Sequence, residues 1–234
     1  MRTVRRRARA REWMRLKAVR RASELLQRVL HGIASIDLRP ARLTVDRLLR
    51  MLFLDTSVFD EVRDDERELG SALVVAGGAC LLAGLGAWLH WEVSELSPPN
   101  AFVNGFLLGS LFLAAMYGAT SLLVYVLMVQ FFRVQVDLLA IVRTMGYAAA
   151  PLALSVGMFV PVLYPLFALM PLALLLVAMI YAVQSATGAA PVQAVVSCLL
   201  GFGMLVLVLG VVAISSSGPN APIGAGQFGL YYQF

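Results

Sequence analysis

Residues 70–91 read GSALVVAGGACLLAGLGAWLHW, a run with no formal charge and only Ser71 as a polar side chain before His90. A helix needs about 20 such residues to cross a hydrocarbon core of about 30 Å, so this stretch predicts a membrane span. Residues 101–132 form a second, interrupted only by Asn104, Ser110, Thr120, Ser121 and Gln130, and long enough to tilt or to continue past the interface. Residues 147–184 carry no charge and divide into crossings at 147–164 and 166–184, folding back at Tyr164-Pro165, where proline favours a turn. A last span covers 192–214. The expected fold is all-α: a polytopic membrane bundle of five transmembrane helices.

Composition agrees. Of the 234 residues 60% are hydrophobic and 14% charged, and the mean hydropathy is +0.80. Soluble domains hold about 45–50% apolar and about 25% charged residues. No stretch of about 150 residues has the polar surface of an independent soluble enzyme domain. Residues 1–69 hold 17 Lys+Arg against 11 Asp+Glu, the remainder holds two Arg against three acids, and no charged side chain follows Arg143. Basic loops stay in the cytoplasm. The N-terminus is therefore expected inside, Glu92 and Glu95 outside, Arg133 and Arg143 inside, and the Gly-, Pro- and Ser-rich tail 215–234 outside and flexible. Arginine outnumbers lysine 18 to one, a bias expected of a bacterial cytoplasmic membrane protein. The Arg-rich start also has the traits of a mitochondrial transit peptide, the lesser reading, and no short apolar region follows it as in a secretory signal. Cys80 and Cys198 lie in apolar runs and read as buried free thiols.

Residues 1–42 form a basic arm. Trp13, Leu16, Val19, Ala22, Leu26 and Val29 recur at helical spacing, with Arg15, Lys17, Arg20, Arg21 and Arg28 between them. Trp13 and these basic residues suit an anionic leaflet, where each cation contributes about 1 kcal/mol. A solvated tail or a helix against another subunit is the plainer reading, and no aromatic platform supports nucleic-acid binding. Leu43 to Leu54 form a second amphipathic segment, too short to cross. Ser57 and Asp60 have the spacing of a capping box opening a helix from Val58 through Glu68 into the first span. Asp64, Asp65, Glu66 and Glu68 offer a binding face or, more plainly, a solvated surface.

Chemistry is sparse. The spans lack the carboxylates and arginines that mark proton relays and ion paths. His90 sits beside Trp91 at an expected interface, and His31 stands alone, too far for a shared metal. No phosphate loop or nucleophile motif occurs. The expectation is no catalytic, cofactor or metal residue. Gly77, Gly78, Gly84 and Gly86 in the first span and Gly201, Gly203 and Gly210 in the last are expected at close helix contacts. Pro151, Pro161 and Pro171 are expected to interrupt the third and fourth spans. The segment Arg133–Pro151 (RVQVDLLAIVRTMGYAAAP) carries Asp137 four residues after Arg133, a spacing for pairing on one helix face.

Arg143, Gly146, Tyr147 and Pro151, spaced Arg-x-x-Gly-Tyr-x-x-x-Pro after a long second span, resemble the YIP domain family, the Ypt/Rab-interacting proteins. LDTSVFDEV at 54–62, followed by Ala72, resembles the entry of bacterial members. LVAMIYAV at 176–183, followed by Ala194, resembles their fourth span and the loop after it. The resemblance covers residues 43–214. It implies five spans with a cytoplasmic N-terminus and, for eukaryotic members, small-GTPase partners. The sequence departs from it after the fourth span, where bacterial members often have Arg and then Ala-Leu-Asp, and Gln184 and Ala186-Thr187-Gly188 stand here. The expected function is a non-enzymatic scaffold or adaptor working through lipids, other membrane proteins or its own copies, by way of the arm and the 133–146 loop. The rival is a transporter or channel for a neutral or lipidic substrate. A lipid-modifying enzyme, for which only His90, Glu92 and Glu95 offer polar groups at one leaflet, comes third.

Overall fold

The structure, a computed structural model, describes residues 41–52, 55–94 and 100–215. Within them are seven α-helices and no strand: α1 (Ala41–Leu52), α2 (Ser57–Asp64), α3 (Leu69–Val93), α4 (Gly109–Val126), α5 (Leu138–Ala148), α6 (Tyr164–Thr187) and α7 (Pro191–Ser215). Five stretches are long and apolar enough to cross a membrane: Glu66–Val93, Phe102–Phe131, Leu138–Phe159, Pro161–Thr187 and Pro191–Val212. The chain is an integral, multi-pass membrane protein. Trp13, Arg15, Lys17, Arg20, Arg21, Arg28 and the tail after Ser215 lie outside the described residues.

The spans close a ring in the order one, two, five, four, three, and the third is wedged between α3 and α6. Apolar lipid gives helices no hydrophobic reason to associate, so close packing decides which faces meet. A Cβ at Gly146 would meet the Cβ and carbonyl of Ala72, one at Gly86 the backbone of Ser155 and Val156, and one at Gly201 the side chains of Val124 and Thr120. At Gly84 it would run into Ser110. Gly77, Gly78, Gly203 and Gly210 differ from expectation: a Cβ there meets nothing within 4 Å, so they make no close approach.

The third span begins at Leu138, not at 147. Arg143 did not end the apolar run because α2 accepts its guanidinium, so the expected 133–146 loop is mostly helix α5. Pro151 has no N–H to continue an α-helix, and the chain runs on as a 3₁₀ helix over Ala150–Phe159. The turn back comes at Val160 (φ −87°, ψ 106°), earlier than Tyr164-Pro165. Pro161 holds the residue before it extended, whereas Pro165 occupies the first turn of α6, where no N–H is needed. Of the expected interruptions, Pro171 alone lies inside an α-helix.

The second span ends in a π turn, Leu127–Phe131. Arg133 then adopts φ 57°, and the Val134 N–H reaches back to the Met128 carbonyl at 2.9 Å. This reach is one residue longer than the bond of a Schellman cap, as suits a π turn, and puts arginine in the left-handed position where glycine is usual. It ends the helix, so Arg133 and Asp137 share no helix face and the expected pair does not form. A left-handed L-residue costs about 1–2 kcal/mol. Arg133→Gly is expected to raise the unfolding free energy in detergent by about 1 kcal/mol, and a loss would show that the guanidinium makes a contact worth more than the strain.

The expected capping box is also replaced. Asp55 Oδ1 accepts from the Ser57 N–H at 3.0 Å and the Ser57 hydroxyl at 2.6 Å, while Asp60 is held by the Ser185 hydroxyl at 2.6 Å. α2 stops at Asp64; Asp65 is extended, and its carboxylate accepts from the Arg67 N–H to start a 3₁₀ turn, Glu66–Glu68, into α3.

Candidate functional site

The two short helices, α1 and α2, gather at one end of the bundle. There α1 and α2 lie across the start of α3, the start of α5 and the end of α6, and α1 packs Leu48 and Met51 onto the core. Three arginines tie this collar together, and each spans two carboxylates. Arg47 pairs with Glu68 at 2.6 Å and Glu61 at 3.7 Å. Arg50 pairs with Asp55 and Glu61, both at 2.9 Å. Arg63 pairs with Asp64 at 2.7 Å and Asp60 at 3.4 Å, and donates to the Ser185 carbonyl at 2.8 Å.

Glu68 is the centre of the site and differs from the expected solvated acid. It is 1% exposed, held by Arg47 from α1 and by the Tyr147 hydroxyl from α5 at 2.9 Å. One carboxylate thus joins the collar, the first span and the third. Arg143 is also buried. Its Nη2 donates to the Arg63 carbonyl at 2.7 Å, at the C-terminal end of α2, where the helix dipole favours a cation. Its Nε is buried and makes no hydrogen bond. Of the four motif residues, Arg143, Gly146 and Tyr147 converge on α2 and α3 at this end; Pro151 lies a turn deeper and shapes the span instead. Ser185, beside the departed loop positions, supplies the α6 contact to α2 through both its carbonyl and its hydroxyl.

Sequence reading missed Arg47 and Ser185, and it named Glu68 without its burial. The available signal was position: Glu68 is the last charge before an uncharged span, where a carboxylate must find partners or remain in water.

The electrostatics favour the charged forms. Hydrogen bonds from Ser57, then Arg50, lower the Asp55 pKa, and the Arg63 guanidinium lowers that of Asp64. Burial works against the Arg47 charge, but Glu68 and Tyr147 together outweigh it and the pKa rises. A carboxylate with a depressed folded pKa contributes stability that is full above its unfolded value, about 4, and lost as pH falls through the folded value. A nitroxide at exposed Asp46 on α1 is therefore expected to stay immobile from neutral pH to about 4 and to loosen only below that. Loosening already at neutral pH, with 0.5 M salt absent, would deny the Asp55–Arg50 tie this role.

At the opposite end His90 stacks on Tyr164 with ring centroids 4.0 Å apart, its Nδ1 3.1 Å from the Met158 carbonyl. Trp88 donates to Glu92 at 3.2 Å. These are rings packing on rings near the span ends, as aromatic belts do. No group of three or more His, Cys, Asp or Glu side chains suited to a metal occurs among the described residues.

Among the described residues, fold and collar together define an all-helical integral membrane protein with a platform of paired charged side chains at one end. No family model, curated protein or solved structure matches the chain.

Proposed function

We propose that the protein is a non-enzymatic scaffold or adaptor of the membrane, of the type its resemblance to bacterial YIP-domain proteins implies, with the collar in the cytoplasm and the tail 215–234 outside. The observation that carries this reading is the collar itself. Arg47, Arg50 and Arg63 make α1, α2 and the α6 end one body fixed on the spans, with Asp60 and Asp64 still 60% and 68% exposed. A rigid, charged, exposed platform suits docking, because little ordering entropy is lost when a partner binds. The basic arm, through Trp13, Arg15, Lys17, Arg20, Arg21 and Arg28, adds contact with anionic lipid, and exposed Arg133 and Asp137 replace the longer loop as the second contact region. Partners are other membrane proteins or further copies of the chain; a small GTPase enters only in a eukaryotic setting, and nucleic acid does not.

Co-purification from the native membrane tests this reading. The intact chain is expected to bring partners that are lost from a variant lacking residues 1–30 or carrying Asp60→Lys with Asp64→Lys. An unchanged partner set in both variants would overturn the docking role.

The second reading, a transporter for a neutral or lipidic substrate, is favoured by one observation, the broken third span between two others. Its test is substrate flux in proteoliposomes.

A further inference from the structure

Residues 150–159 form a 3₁₀ helix ten residues long, where runs beyond about four residues are uncommon because the hydrogen bonds are poorer. Its burial has the matching period. Leu152, Ser155 and Met158 are the buried positions, each three after the last, and Phe159 is 43% exposed. In 3₁₀ geometry residue 158 lies directly in line with 152. In α geometry, about 100° per residue, residue 159 returns to within about 20° of Leu152 and 158 swings away. The two windings thus present different side chains to the same neighbours. Met158 now fills a small core with Ala87 and Ala168, separate from the main one.

The neighbours explain why the narrow winding is held. The α3 backbone at Gly86 presses on Ser155 and Val156, and the Phe167 ring fills the space beside Gly157. These contacts hold the narrow winding, and a wider helix needs the Phe167 side chain to give way. The stretch is bounded by Pro151 and by Val160-Pro161, so it can rewind without unwinding α5 or α6. Its inner end is fixed independently. The Tyr117 hydroxyl holds the Met145 carbonyl at 2.6 Å, and Tyr147 is bonded to Glu68.

We propose that residues 150–159 are a two-state element, 3₁₀ in this structure and α in a second state, in which Phe159 replaces Met158 against Ala87 and Ala168. Rewinding shortens the segment from about 2.0 to about 1.5 Å per residue, about 5 Å over its length. It would join the collar end of the third span to the opposite end by a change of length, whichever function the collar serves.

The test is a distance between nitroxides at exposed Asp137 and Val162, in liposomes, with Cys80 and Cys198 replaced by alanine. The native segment is expected to give one long distance. The exchange Met158→Phe with Phe159→Met puts the fitting side chain on the α face and is expected to shorten the distance by about 5 Å. Phe167→Ala, which opens the space beside Gly157, is expected to shift it in the same direction. A folded exchange variant and a folded Phe167→Ala that both keep the long distance would overturn the proposal. So would failure of both to fold, because the rewound form would then not be a folded state.

Discussion

Arg47→Ala is expected to destabilise the protein more than Glu68→Ala, although both remove the same 2.6 Å ion pair. The difference lies in what remains. Without Arg47 the Glu68 carboxylate keeps only the Tyr147 hydroxyl, at 1% exposure, and breaking a buried pair in this way costs about 3–5 kcal/mol. Without Glu68 the Arg47 side chain, already 13% exposed and still near Glu61, turns towards water. The expected loss is then about 2 kcal/mol, most of it from Tyr147 losing its acceptor. Arg47→Ala with Glu68→Ala should be milder than Arg47→Ala alone, since no charge is left buried. Thermal unfolding in detergent of the three variants decides this. Equal costs for the two single changes would mean that Glu68 reaches solvent once α1 is freed.

That asymmetry also shows what the sequence could and could not reveal. Span number was legible because lipid demands long uncharged helices, and runs such as 70–91 and 192–214 have few alternatives. Boundaries beside charged residues were not. Arg143 looked like the end of a loop because a lone arginine is costly in a span, yet the α2 carbonyl at residue 63 accepts it, eighty positions away. Glu68 looked solvated because its neighbours Asp64 and Glu66 are. Only folding shows that α1 returns to bring Arg47 to it. Local chemistry misled at Ser57 for a related reason: the Ser57/Asp60 spacing is right for a capping box, but α6 supplies Ser185 to Asp60, and Asp55 supplies the cap instead. The physical content of the Arg-x-x-Gly-Tyr spacing is that Arg143, Gly146 and Tyr147, one turn apart on α5, set a cation, a bare backbone and a hydroxyl against α2 and the start of the first span.

Gly146→Val should cost far more than valine at a glycine in open space. A Cβ at 146 lies 2.7 Å from both the Cβ and the carbonyl oxygen of Ala72, and backbone cannot swing aside as a long side chain would. Overpacking costs about 1–3 kcal/mol, and valine adds two methyl groups to the clash, so about 3 kcal/mol or loss of folded protein is expected. Gly78→Val on the first span is the control. It meets nothing within 4 Å and should cost less than about 1 kcal/mol. Adding Ala72→Gly to Gly146→Ala should recover part of the loss but not all, because the Ala72 carbonyl stays in place. The separation of α3 and α5 also sets the reach from Tyr147 to Glu68. Any shift large enough to admit a side chain at 146 strains that 2.9 Å hydrogen bond. Tyr147→Phe, alone worth about 1 kcal/mol, should therefore cost almost nothing in the Gly146→Ala background. Full additivity of the two would mean that the helices part elsewhere and leave the bond to Glu68 intact.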